Sequence, residues 1–103
     1  MIAGNTIILK PASCVPKTSL LLEKFFIESG FDNNEFQVVF ADNETTTNQI
    51  ISDDRIRYVI FTGSTTAGSC VGALAGKYLK KSLLELGGSD PCIVFDDCDI
   101  DLV

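Results

Sequence analysis

Two stretches of this chain carry residue types and spacings that could do chemistry. The first is Phe61-Thr62-Gly63-Ser64-Thr65-Thr66-Ala67-Gly68, and the second is Leu84-Glu85-Leu86-Gly87-Gly88. The first reads as a strand entering a glycine turn and then a helix. Such a turn aims free backbone N–H groups and the positive end of a helix dipole at one point, which suits an anion such as a pyrophosphate. The second reads as a strand ending in an acid and two glycines, and a carboxylate there reaches the same crevice at the strand ends. From the residues alone, two readings stand: a nucleotide site, or plain packing of a helix on a strand. Gly63 and Gly68 have the spacing of a phosphate loop, but Ser69 and Cys70 occupy the positions where that loop needs Lys and Ser/Thr. Gly-x-Gly-x-x-Gly occurs nowhere, so the common dinucleotide fingerprint fails as well.

The elements that must position these stretches read as alternating strands and helices. Gly4 to Leu9 is an apolar run stopped by Lys10-Pro11, because proline donates nothing to a ladder. Pro16 suits the first turn of a helix, in which Leu21, Leu22, Phe25, Phe26 and Ser29 recur at helical spacing opposite Glu23, Lys24 and Glu28. Gly30 is a fitting left-handed stop. Phe36 to Ala41 is a second strand, Asp42-Asn43 is turn and cap chemistry, and Thr45 to Ser52 is a short, threonine-weakened helix. Ile56 to Phe61 is a third strand. Thr65 to Leu79 is a helix with Ala67, Val71, Leu74, Ala75 and Tyr78 on one face and Gly68, Gly72 and Gly76 in a stripe beside it. Three glycines at spacing four imply a close backbone approach to a sheet. Lys77, Lys80 and Lys81 complement the C-terminus of that helix. Ser82 to Leu86 and Pro91 to Phe95 read as further strands, with Asp99 capping a last helix. This alternation predicts βαβ units and a parallel sheet. It breaks at Gly87-Gly88, the predicted domain boundary between residues 1–88 and 89–103.

Composition narrows the function classes. The chain has 103 residues, enough for one small domain, and 46% of them are hydrophobic, with a mean hydropathy of +0.25. That surplus predicts surfaces that further chain would cover. No apolar run is long enough to span a membrane and no secretory signal opens the chain, so the expected location is cytoplasmic. A net charge of −6 argues against nucleic acid, which calls for a basic face. Asp90, Asp96, Asp97, Asp99 and Asp101 read as a solvated acidic edge. Cys14, Cys70, Cys92 and Cys98 form no metal-ligand or disulfide pattern, there is no histidine, and each cysteine is expected to be a partly buried apolar residue.

Five segments in register resemble the NAD(P)-dependent aldehyde dehydrogenases: Ala3-Gly4-Asn5-Thr6, Leu9-Lys10-Pro11-Ala12, Phe61 to Thr65, Leu84 to Gly88, and Ile93 to Asp101. The resemblance covers essentially the whole chain. It implies an α/β fold, a Rossmann-like parallel sheet with helices on both faces, here a partial domain of a longer enzyme. It implies NAD or NADP as cofactor, a small-molecule aldehyde as substrate, and a homo-oligomer as the full-length form. Residues 1–88 would be part of the cofactor domain and 89–103 the start of the catalytic domain. Lys10 matches the lysine that binds the adenosine ribose. Ser13 stands where NAD-preferring relatives carry a glutamate. A serine there would not repel a 2′-phosphate, which tilts the expectation toward NADP. Phe61 and Thr62 lead into Gly63 and Ser64, which match the pyrophosphate turn. Glu85 matches the general base, expected in a half-dry crevice. Leu86, Gly87 and Gly88 match the backbone beside the nicotinamide. The stretch Gly87 to Pro91 most resembles the succinate-semialdehyde branch.

The same resemblance implies what this chain lacks. The family's nucleophilic cysteine lies downstream of the base, and Cys92 and Cys98 stand too close to Glu85 to match it. The oxyanion-hole asparagine lies upstream of Met1. The isolated chain is therefore expected to be inactive and poorly stable. Two other classes stay open: a dinucleotide-binding module without catalysis, and an interaction protein that uses its acidic C-terminal edge.

Overall fold

In the computed structural model, residues 1–41 and 44–102 are described; Asp42 and Asn43, with their expected turn and cap, lie outside them. The chain forms two compact units, Met1–Ile50 and Ile51–Val103.

In the first unit, β1 (Ile7–Leu9) pairs in parallel with β2 (Phe36–Val38), with Ile7 opposite Phe36 and Leu9 opposite Val38. The crossover is α1 (Pro16–Glu28), which opens on the proline as expected and has no side-chain cap at Val15. Gly30 stops it at φ +92, in the left-handed region that favours glycine. The face of α1 that meets β2 differs from the predicted one. Ser19 is buried, Glu23 and Phe26 are half-buried, and Phe26 stacks on Phe36 with ring centroids 4.3 Å apart. Leu21, Leu22 and Phe25 are exposed. A two-stranded ribbon of three-residue strands is narrower than the apolar face of the helix, so part of that face stays bare. A second helix, α2 (Glu44–Ser52), follows, with Ile51 buried near its end.

In the second unit, β3 (Tyr58–Thr62) pairs in parallel with β4 (Lys81–Glu85), in the register Ile60 to Leu83 and Thr62 to Glu85. The crossover α3 (Thr65–Lys77) packs on both strands. Val59, Phe61 and Leu84 are half-buried, whereas Tyr58, Ile60 and Leu83 are exposed. Alternation along a strand therefore gives this ribbon one face toward α3 and one open face. The glycine stripe of α3 meets β4 as expected at two of its three positions. A Cβ on Gly68 would collide with the Leu86 side chain, and one on Gly72 would lie 3.1 Å from Leu84 Cδ1, while Gly76 has nothing within 4 Å.

Strand and helix boundaries fall within a few residues of the predicted ones, with one exception. Pro91 to Phe95 is not a strand: residues 86–99 are exposed throughout, Ile93 at 77% and Phe95 at 70%. Apolar β-formers need an edge to pair with, and none of the described strands engages them. Asp99 does cap a turn, its Oδ1 accepting from the Asp101 amide at 3.2 Å, but the turn is a 3-10 helix over Ile100–Leu102. All four cysteines are exposed rather than partly buried.

Candidate functional site

The C-terminal edge of the β3–β4 ribbon is where the two chemically promising stretches meet. Thr62 lies opposite Glu85 in the ladder, and the next amide, that of Gly63, donates to the Glu85 carbonyl at 3.0 Å. One hydrogen bond thus ties the glycine turn to the residue that carries the acid. The Phe61 ring lies against the turn: a Cβ on Gly63 would lie 2.6 Å from Phe61 Cζ, so a larger residue there must push the ring aside. Phe61 itself is half-buried.

Ser64 is the N-cap of α3. Its backbone is extended (φ −68, ψ 153), its carbonyl accepts from the Gly68 amide at 2.8 Å, and its Oγ accepts from the Ala67 amide at 3.2 Å. A hydroxyl that accepts inward still has its own proton to donate outward. The amides of Thr65 and Thr66, in the first turn, have no i−4 partner inside the helix. Hydroxyl and amides together form an exposed donor set at the positive end of a 13-residue helix.

Glu85 is exposed, not held in a half-dry crevice as expected. Leu84 and Leu86 face α3, where they meet Gly72 and Gly68, so Glu85 between them points to the open face of the ribbon. The helix N-terminus and the carboxylate therefore lie on opposite faces of the ribbon at the same strand ends, not in the one crevice that the sequence suggested. Beyond Glu85, a Cβ on Gly87 would lie 3.7 Å from Thr65 Oγ1, and Gly88 stands in open space. The second stretch thus runs past the first helical turn.

Lys10 and Ser13 lie in the first unit, both exposed, just past the C-terminal end of β1 and before α1. Among the described residues, no three of Cys, Asp and Glu converge as metal ligands. Nor, among the described residues, is any helix long and apolar enough to cross a membrane.

Two contacts of the second unit have no counterpart in the sequence reading. Asp53 binds the Arg55 guanidinium through both carboxylate oxygens, at 2.9 Å to Nε and 2.7 Å to NH2, and takes the Arg55 amide at 2.9 Å. The Arg55 side chain, then its amide, hold the Asp53 carboxyl far below the usual carboxylate range. Lys80, expected to serve the helix dipole, instead donates from Nζ to the Asp53 carbonyl at 3.0 Å, joining the loop before β3 to the residue before β4. An acid and an arginine two residues apart are a weak sequence signal, but a readable one; the lysine bond spans 27 positions and left none.

The aldehyde dehydrogenase family profile matches residues 1–103. A succinate semialdehyde dehydrogenase (NAD(P)+) of Escherichia coli is 43% identical over 102 residues, covering 99% of this chain and 22% of that protein. A phenylacetaldehyde dehydrogenase of Pseudomonas fluorescens is 41% identical over 96 residues, covering 93% of this chain and 19% of that protein. Among solved structures, a succinic semialdehyde dehydrogenase from Streptococcus pyogenes in complex with NADP+ superposes with a TM-score of 0.88 at 38% identity, over 97% of this chain and 22% of that one. The chain thus spans about a fifth of the length of the relatives it matches. With the profile matched from end to end and the α/β architecture shared, this chain belongs to the aldehyde dehydrogenase family.

Proposed function

We propose that this chain is the cofactor-binding segment of an NAD(P)+-dependent aldehyde dehydrogenase that oxidises an aldehyde to a carboxylic acid, with succinate semialdehyde as the favoured substrate. Residues 1–88 would belong to its cofactor domain and 89–103 would open its catalytic domain. The observation that carries the reading is the bond from the Gly63 amide to the Glu85 carbonyl, which puts a phosphate-type turn and a carboxylate on one sheet edge. The exposed apolar face at Tyr58, Ile60 and Leu83 supports it too, since parallel sheets in α/β enzymes are covered on both sides.

The donor set suits a dinucleotide. The Ser64 hydroxyl and the Thr65 and Thr66 amides would hold the pyrophosphate, with Phe61, Thr62 and Gly63 shaping the turn beneath it. The Lys10 ammonium would bind the adenosine ribose. Ser13, neutral and short, would leave room for a 2′-phosphate, so NADP is favoured slightly over NAD. Leu86 and Gly87 would lie against the nicotinamide. When bound, NAD(P)+ supplies the hydride acceptor. Glu85, as general base, would take a proton from the water that releases the acid, a role worth about 10²–10⁴ in rate. The attacking thiolate is not among this chain's assigned residues, so the chain alone should not turn over.

The test is a chimera in which residues 1–103 replace the matching segment of the Escherichia coli relative. The chimera should oxidise succinate semialdehyde with NADP+, Glu85→Gln should cut kcat by about 10² or more, and Ser64→Ala should raise the KM for NADP+. A Glu85→Gln chimera as fast as its parent would overturn the assignment. Saturable binding of NADP+ by the isolated chain, without turnover in the chimera, would instead identify a non-catalytic binding module.

A further inference from the structure

On the outer edge of β2 one main-chain amide is capped by a side chain from α1. In a parallel ladder alternate residues face the one partner strand. Ile7 donates to the Glu35 carbonyl at 2.8 Å and Val39 donates to the Leu9 carbonyl at 2.9 Å, so positions 35, 37 and 39 face β1. Phe36 and Val38 then turn their main-chain groups outward. The Val38 amide is met there by the Glu23 carboxylate, whose Oε1 accepts at 2.6 Å. Glu23 reaches across from the middle of α1, half-buried, in a groove of about 480 Å³ bounded by Ile27, Asn33 and residues 36–39. It sits where the carbonyl of an added strand would sit. The nearby Glu35 is committed elsewhere, its Oε2 accepting from the Asp32 amide at 2.7 Å.

The strand it covers needs covering. Phe36-Gln37-Val38-Val39-Phe40-Ala41 carries no charge and no proline and is rich in β-formers, the composition that invites edge-to-edge pairing. A second copy of the chain is the partner such an edge selects. The same outward donors and acceptors on two identical strands match each other about a two-fold axis. We propose that Glu23 is an edge guard: by occupying the outward amide of Val38 it keeps β2 a terminal strand and prevents this chain from pairing with a second copy of itself through that edge.

Hydrogen exchange and sedimentation velocity on the 103-residue chain test this together. Glu23→Ala should speed exchange of the Val38 amide by about tenfold or more in dilute solution, the loss of one hydrogen bond to a charged acceptor. The Val39 amide, bonded to Leu9, should change little. Glu23→Gln keeps a carbonyl acceptor in place and should keep most of the protection. At higher concentration Glu23→Ala should form dimers, and adding Val38→Pro should return it to monomer, since proline removes an amide that points away from β1. A Val38 amide as fast in the parent as in Glu23→Ala would overturn the proposal. So would a parent that dimerises as strongly as Glu23→Ala, or dimers that persist in the double variant.

Discussion

Alanine placed in turn at Gly68, Gly72 and Gly76 should give three different answers from one kind of substitution. In an exposed helix interior, glycine to alanine gains about 0.8–1.0 kcal/mol from reduced backbone entropy. At Gly76 nothing lies within 4 Å of the new Cβ, so the full gain should appear. At Gly72 the Cβ meets the Leu84 Cδ1 methyl at 3.1 Å, the far end of a flexible side chain. A shift of a few tenths of an ångström relieves that contact, so a smaller gain should survive. At Gly68 both Leu86 methyls are too close and Cγ lies at 3.1 Å, so the whole leucine must move. Overpacking of that kind costs about 1–3 kcal/mol, which outweighs the propensity gain and leaves Gly68→Ala less stable by roughly 1 kcal/mol. Urea unfolding of the chain, followed by far-ultraviolet circular dichroism, measures all three. Because Leu86 adjoins Glu85 and Gly87, the Gly68 variant should also raise the KM for NADP+ in the chimera, while Gly76→Ala leaves it unchanged. Equal stability of the Gly68 and Gly76 variants would refute the account of why the stripe is glycine.

Leu79 holds φ +54 with its side chain 93% exposed, so Leu79→Gly should stabilise the chain by about 1 kcal/mol in urea unfolding. Ser64→Ala should cost about 1 kcal/mol by the same measurement, since the N-cap acceptor for the Ala67 amide is lost. The Asp53 carboxyl is depressed in the folded chain, so its pairing stabilises above the unfolded value near pH 3.9 and is lost as pH falls through the lower folded value. The stability gap between Asp53→Asn and the parent should therefore be full at pH 7, shrink below about pH 4, and shrink with added salt because the pair is open to solvent. Ile60→Ser with Leu83→Ser should change the isolated chain by no more than about 0.5 kcal/mol per site. In the chimera the same pair should cost about 1.5–3 kcal/mol per side chain, read by thermal unfolding, if the open face is buried there.

Local chemistry made much of this fold legible. Pro16 and Gly30 bracket α1 as their backbone restrictions require, and Ser64 marks the start of α3. The period of the apolar residues separated strands from helices, and the glycine stripe announced the close approach to β4 at Gly68 and Gly72. What failed were the faces and strands whose burial depends on how much partner surface is there to meet them. Leu21, Leu22 and Phe25 have the right spacing for a buried face, but the ribbon beneath α1 reaches only the Ser19, Glu23 and Phe26 side. Pro91 to Phe95 has strand composition without a strand to pair with. Glu23 was assigned to the solvent side because charge reads as exposure, yet it makes the one described side-chain bond to β2. The meeting of the two candidate stretches was legible only as topology: parallel strands joined by one helix end on the same edge. That Glu85 would lie on the face away from α3 follows from register, which spacing alone does not give.

The two ribbons are incomplete in different ways. At β2 the edge is partly finished: the outward amide of Val38 has a partner supplied by the chain's own helix. On the β3–β4 ribbon the open face is not, because Tyr58, Ile60 and Leu83 present apolar surface with no described residue over it, in the same plane as Glu85. Whatever covers that apolar face in the proposed enzyme would also lie beside Glu85 and fix the strand that carries it. Folding stability and the placement of the proposed base would then share one cause, so polar substitutions at Ile60 and Leu83 should depress kcat in the chimera together with its melting temperature, although neither residue touches a reacting atom.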